Sequence, residues 1–120
     1  MDEIRAKIRA FRDERDWKQF HNPKDMAIAI SIEASELLEN FLWKPPDELD
    51  ERVIEKRESI EDEIADIAIY LVELADNLDI DLLDVIEKKI EKNESKYPAS
   101  LVKGSSKKYT EYSDKESDGE

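Results

Sequence analysis

The sequence contains no cysteine, which excludes disulfide bonds, thiolate catalysis and cysteine-based zinc or iron–sulfur sites. It also has no apolar stretch near the roughly 20 residues of a membrane-spanning helix, and its N-terminus lacks the apolar core of a signal peptide. We therefore expect no membrane association and a cytoplasmic location. Basic residues are outnumbered, 19 against 32 acidic ones, and the net charge of −13 disfavours binding to a nucleic-acid strand.

Glycine is absent from residues 1–98, because both glycines, Gly104 and Gly119, lie beyond that point. The four prolines occur at Pro23, Pro45, Pro46 and Pro98. Because helix interiors exclude Gly and Pro, this distribution predicts one all-α domain over residues 1–98. The predicted helices cover about 2–15, 23–42, 49–78 and 81–97, and residues 99–120 are predicted to be a polar, disordered tail.

The third predicted helix carries the clearest apolar pattern. Its expected core-facing stripe is spaced 4, 3, 4, 3, 4 and comprises Ile60, Ile64, Ile67, Leu71, Leu74 and Leu78. The remaining faces between residues 64 and 75 are also mostly apolar, with Asp66 and Glu73 as the strongly polar positions. Four short helices can hardly enclose a helix that is apolar all round. We therefore expect part of this surface to face a second subunit in a homodimer or homotetramer.

Acidic pairs interrupt the apolar runs of two predicted helices. Glu33 and Glu36 are spaced i, i+3 on the second helix, and Glu63 and Asp66 have the same spacing on the third, so each pair projects from one side. Neither helix has a Lys or Arg close enough in sequence to neutralise them. A buried carboxylate must be protonated, paired or bound to a metal. One such pair alone would favour solvated surface acids, but two pairs in the most apolar runs favour a metal site.

The donor types indicate which metal would bind. A site rich in carboxylates, with no sulfur and little nitrogen, suits a hard cation such as Mg²⁺, with Mn²⁺ as a substitute. The single histidine, His21, lies outside both acidic helices, which argues against a di-iron carboxylate site. Because Mg²⁺ commonly enters sites together with substrate phosphates, we expect a phosphate-bearing substrate.

Two further features are compatible with such a substrate. Lys89, Asn93 and Lys96 lie on one face of the fourth predicted helix, where they could bind phosphates or simply complement the helix dipole. Trp17 and Trp43 lie near predicted loops, where they could stack on a nucleobase or cover the core. The residues themselves leave both alternatives open.

Several motifs in order resemble a known family. Glu33-x-x-Glu36 is followed, after residues 37–62, by Glu63-x-x-Asp66, which resembles the Mg²⁺-binding signature of MazG-like all-α NTP pyrophosphohydrolases. The flanking segments are similar to the dCTP pyrophosphatase branch: Arg15-Asp16-Trp17-x-Gln19-Phe20-His21-x-Pro23, Glu36-Leu37-x-Glu39-x-Phe41-x-Trp43, Asp66-Ile67-x-Ile69-Tyr70-Leu71 and Lys96-Tyr97-Pro98. The resemblance covers residues 1–98.

This resemblance implies a four-helix MazG-like bundle completed by homodimerisation, as a dimer or a dimer of dimers. It implies hydrolysis of a (d)NTP, dCTP-like or modified, to a nucleoside monophosphate and pyrophosphate in nucleotide-pool cleaning. Glu33, Glu36, Glu63 and Asp66 would bind Mg²⁺, with Glu36 or Glu33 as general base. The implied substrate contacts are Trp17, His21, Trp43, Tyr70, Lys89, Asn93 and Lys96. The alternative function is a dimeric helical interaction module, or a nucleotide sensor without turnover.

Overall fold

The computed structural model describes residues 1–103, and these residues form helices and no strands. The helices are α1 (Asp2–Glu14), α2 (Pro23–Glu39), α3 (Leu49–Glu55), α4 (Arg57–Asn77), α5 (Leu82–Lys96) and α6 (Ala99–Val102). Single 3₁₀ turns, Lys18–Phe20 and Pro46–Glu48, lie in the connections before α2 and α3. The all-α prediction is confirmed. Among the described residues, no helix is both long and apolar enough to cross a bilayer.

The chain divides into two compact units, one comprising Met1–Ile80 and the other beginning at Asp81. In the first unit, α4 is the central helix, since both α2 and α1 pack on it and α2 makes the more extensive contact. Its core is small and contains Met26, Ile60, Val72 and Ala75, of which Met26 is only 1% exposed. The boundary between the two units lies inside the single domain predicted over residues 1–98. That domain assignment stays a prediction.

Two of the helices, α2 and α5, have an N-cap residue with a short polar side chain. Asn22 precedes α2, and its Oδ1 accepts a hydrogen bond from the Asp25 backbone N–H at 2.9 Å, with Pro23 in the first turn. Asp81 precedes α5, and its Oδ1 accepts from the Asp84 N–H at 3.1 Å. The predicted starts of these two helices are therefore confirmed.

The third predicted helix is two helices in the structure, and this is a correction. The backbone leaves the helical region at Lys56, with φ −111° and ψ 23°, so α3 ends at Glu55 and α4 begins at Arg57. No glycine or proline marks this break. The Arg52 side chain of α3 donates to the backbone carbonyl of Asn40, just beyond the end of α2. This tertiary contact holds α3 against the end of α2, and α2 itself ends at Glu39 rather than at Leu42.

The buried face of α4 also differs from the predicted stripe. Ile60 is buried, but Ile64 is 53% exposed in the single chain, and Leu71 and Leu78 are exposed as well. The residues that α4 buries instead are Val72, Glu73 and Ala75, because α1 and α2 pack on that side. Because α4 is apolar on almost every face, the spacing of its apolar residues does not identify the face that packs against other helices.

The predicted tail begins with a short helix, Ala99–Val102, at residues where the sequence indicated disorder. The rest of the predicted tail, from residue 104 onward, lies outside the described residues.

Candidate metal centre and adjoining cavity

A cavity of about 490 Å³ opens between α1, α2, α4 and the segment that joins α1 to α2. Acidic side chains line one part of it, and aromatic and apolar side chains line the rest. The lining residues are Ile4, Lys7, Ile8, Phe11, Arg12, Trp17, His21, Glu33, Asp66, Ile69, Tyr70 and Glu73. A cavity of this size and mixed lining is typical of a small-molecule site.

Three carboxylates converge at the acidic part of the site. Glu33, Glu36 and Glu63 each offer one carboxylate oxygen, and these oxygens lie within 4.8 Å of one another. The i, i+3 spacing places Glu33 and Glu36 on one side of α2, and the packing of α2 on α4 brings Glu63 to them. One oxygen each of Glu33 and Glu63, Oε2 in both cases, is buried without a hydrogen-bond partner.

The electrostatics of this cluster favour a bound cation. Burial, followed by the neighbouring carboxyls of Glu63 and Glu36, raises the pKa of Glu33 from 4.5 to about 7. Asp66 lines the cavity, and its charge raises the pKa of Glu33 further, although it is not one of the three converging residues. Buried oxygens that lack donors, surrounded by like charges, are what a divalent cation neutralises. Oxygen-only ligands fit Mg²⁺ or Mn²⁺.

The aromatic part of the cavity contains three side chains predicted to contact substrate, Trp17, His21 and Tyr70. The Trp17 ring meets the Phe11 ring edge-on, with centroids 5.8 Å apart and an interplanar angle of 72°. The Arg15 guanidinium carbon lies 3.6 Å above the Phe11 ring on the same helix end. Burial, and then the charges of Glu33 and Asp66, raise the pKa of Tyr70, so its hydroxyl is a neutral donor at physiological pH.

Comparison with known proteins assigns the family. The MazG-like family model matches residues 28–112 of the 120. The chain belongs to the MazG-like family. The match includes all four acids of the predicted metal site, and the resemblance found in the sequence is thereby confirmed.

Individual MazG-like relatives extend this result beyond the family match. The dCTP pyrophosphatase 1 proteins of Bos taurus and Homo sapiens are each 39% identical over 113 residues, which is 92% of this chain and 67% and 66% of theirs. The chain thus spans about two thirds of their length. A solved pyrophosphatase structure from Archaeoglobus fulgidus is 44% identical, with a TM-score of 0.79 over 82% of this chain and 92% of that one. The prediction of a nucleotide pyrophosphohydrolase agrees with these comparisons.

Two cavity residues of this MazG-like chain were missed by the sequence reasoning. Arg12 and Glu73 are buried, and Glu73 Oε1 lies 3.8 Å from Arg12 Nη1 and 2.6 Å from His21 Nδ1. Arg12 Nη1 also donates to Asn77 Oδ1 at 2.9 Å. The position of Glu73 inside the apolar run of α4 was a signal, but its partner Arg12 is distant in sequence and sits on α1.

The other predicted substrate residues lie outside this cavity. Trp43 is 92% exposed and has a positive φ of 68°, a strained conformation for a large side chain. Lys89, Asn93 and Lys96 all lie on α5, in the second compact unit. Their substrate contacts stay predictions.

Proposed function

We propose that this MazG-like protein is an Mg²⁺-dependent nucleoside triphosphate pyrophosphohydrolase. Its substrate is a (d)NTP, dCTP-like or carrying a modified base, and its products are a nucleoside monophosphate and pyrophosphate. The observation that carries the proposal is the carboxylate cluster of Glu33, Glu36 and Glu63, with two buried unpartnered oxygens, whose member Glu33 also lines the cavity that contains Trp17. The names of the pyrophosphatase relatives support the same reaction.

Glu33, Glu36, Glu63 and Asp66 are the residues that would hold Mg²⁺. The bound ion supplies charge neutralisation and orientation for the triphosphate. The fit rests on the oxygen-only donor set and on the buried Oε2 atoms of Glu33 and Glu63, which have no hydrogen-bond partner. Mn²⁺ has the same preference for oxygen ligands and is expected to substitute.

The glutamates of α2 also provide the base that the reaction requires. Glu36 or Glu33 accepts a proton from the attacking water, whose oxygen bonds to a phosphorus while a phosphoanhydride P–O bond breaks and its electron pair leaves with the departing phosphate group. Cysteine is absent, and no serine–histidine arrangement is evident in the sequence. We therefore propose direct attack by water without a covalent intermediate.

The acidic and aromatic parts of the cavity support one orientation of the substrate. The triphosphate lies toward the carboxylates, and the base stacks on Trp17 with Tyr70 near the base or sugar. Ile8 of α1 and Ile69 of α4 also line the cavity and would supply apolar contact. Lys89, Asn93 and Lys96 would contact the phosphates from α5, as the family resemblance implies.

A homodimer or homotetramer is part of the proposal. Large apolar side chains lie exposed at helical spacing on two packed helices of the first unit, Ile28 and Ile32 on α2 and Ile64 and Leu71 on α4. Burial of such a surface against a second copy would stabilise the fold. Trp43 would line the base pocket, as the family resemblance implies. Light scattering coupled to size-exclusion chromatography measures the subunit number.

The activity is tested with a panel of canonical and modified dNTPs, with Mg²⁺, Mn²⁺ or EDTA, and with chromatographic separation of the products. The proposal predicts dNMP and pyrophosphate in equal amounts, formed only with metal. Release of dNDP and orthophosphate would contradict it. Nucleotide binding without any product would favour the sensor, and neither binding nor product would favour the interaction module.

A further inference from the structure

The imidazole of His21 is held by a short contact with the buried side chain of Glu73. Glu73 Oε1 lies 2.6 Å from His21 Nδ1, and the Glu73 side chain is only 4% exposed. The Asn77 amide also donates to the His21 backbone carbonyl, at 3.4 Å. The ring is therefore held from one side, at the aromatic end of the cavity, with its centroid 6.4 Å from that of Trp17.

The protonation of the pair follows from its neighbours. Arg12 is permanently charged and buried; its Nη1 lies 3.8 Å from the same Glu73 oxygen, and its Nε donates to Asp13 Oδ1 at 2.9 Å. An ionised carboxylate only accepts hydrogen bonds, so the nitrogen facing it must carry a proton. The nitrogen of His21 that faces Glu73 is Nδ1, so the tautomer that fits this contact carries its proton on Nδ1 and leaves Nε2 as the acceptor.

We infer that Glu73 is a positioning residue that fixes the His21 tautomer, leaving Nε2 as a hydrogen-bond acceptor for an exocyclic amino group of the substrate base. The inference rests on the proposed function, since it requires a nucleotide base beside Trp17. Among the described residues, no hydrogen bond occupies Nε2. An acceptor at this position favours an amino base, such as cytosine, over its keto counterpart, uracil, which presents a carbonyl oxygen there.

The tautomer is measured directly on the wild-type protein. The chain has a single histidine, so ¹⁵N-histidine labelling gives one pair of ring-nitrogen signals that needs no assignment. We expect a protonated Nδ1 and an unprotonated Nε2 at pH 8, the opposite of the tautomer that predominates in free histidine. A proton on Nε2, or on both nitrogens, would overturn the inference.

The consequence for selectivity is measured with Glu73→Met, which keeps the side-chain length and removes the acceptor. We expect the imidazole proton to shift toward Nε2. The ratio of kcat/KM for dCTP to that for dUTP should fall about tenfold, mainly through a higher KM for dCTP. Circular dichroism checks that the variant is folded. If the variant does not fold, the ¹⁵N-labelled wild-type protein still tests the tautomer.

Asp76→Asn is the matched control, because Asp76 also pairs across α1 and α4, with Arg9, but does not contact His21. This control should leave the base ratio unchanged. An unchanged ratio in folded Glu73→Met would overturn the inference, while metal-dependent pyrophosphate release would still support the proposed function. If no dNTP is hydrolysed, the proposed function fails instead.

Discussion

Glu33 and Glu73 line the same cavity from the neighbouring helices α2 and α4, yet their surroundings are opposite. Glu33 has Glu36, Glu63 and Asp66 as its charged neighbours, and one of its oxygens has no donor. Glu73 contacts Arg12 and His21. The difference shows that residue type alone does not define a metal ligand. The carboxylate that lacks a cation within the protein is the one suited to bind one from solution.

The largest expected effect comes from neutralising the acidic cluster. Glu36→Gln or Glu63→Gln removes a charge from the proposed metal site, so kcat/KM for dNTP hydrolysis should fall by about a hundredfold or more. Pyrophosphate release with Mg²⁺ measures it.

The matched control is Glu39→Gln, which removes a charge from the same helix at an exposed position outside the converging triple. Its activity should stay close to that of the wild type. Equal losses in Glu36→Gln and Glu39→Gln would mean that general charge on α2, and not a specific cluster, matters.

A second prediction compares the stability of variants at Glu33 and Glu73. Substitution by Gln should change the free energy of unfolding in opposite directions at the two positions. Glu73→Gln leaves the buried Arg12 without its charged partner on α4 and should lower the free energy of unfolding by about 2–3 kcal/mol. Glu33→Gln relieves like-charge repulsion and should raise the metal-free stability at neutral pH by a smaller amount.

Urea unfolding in EDTA measures both variants against the wild type. The comparison fails if both substitutions lower the free energy of unfolding. Glu33 would then have a stabilising partner within the protein, as Glu73 has.

The smallest expected effect is a pH dependence of the metal-free protein. The pKa of Glu33 is about 7 in the folded protein, compared with an ordinary value of 4.5. The folded protein therefore binds this proton more tightly than the unfolded chain does. Stability should therefore fall as pH rises through this window. In the proposed site Mg²⁺ would bind the ionised form of Glu33, so the increase in Tm that Mg²⁺ produces should grow with pH.

Thermal melts at about pH 5, 6 and 7, with Mg²⁺ or with EDTA, measure this dependence. Glu33→Gln provides the reference, since it cannot titrate at this position. Identical pH slopes in the wild type and in Glu33→Gln would show that Glu33 does not titrate between these values.

The sequence predicted the helical class and the starts of α2 and α5 because these depend on local signals: Gly and Pro placement and side-chain caps. It also predicted that the acids of α2, and likewise those of α4, would project from one side of their helix, because i, i+3 spacing places two side chains together. Local patterns determine these features.

The features that the sequence did not predict depend on tertiary contacts. The break at Lys56 has no glycine or proline and accompanies the contact of Arg52 with the Asn40 carbonyl. The ion pair of Arg12 with Glu73 joins residues that are far apart in the chain. The spacing of apolar residues in α4 also did not identify its buried face. Helical spacing describes each helix alone, so it does not specify which face meets which partner.

The most direct test of the account is calorimetric titration of a non-hydrolysable dCTP analogue into the wild type and Glu63→Gln, each with Mg²⁺ or EDTA. The account predicts that Mg²⁺ tightens nucleotide binding by the wild type at least about tenfold and has little effect on Glu63→Gln. Equal affinity of the wild type with Mg²⁺ and with EDTA would contradict the claim that these carboxylates bind the metal that holds the triphosphate.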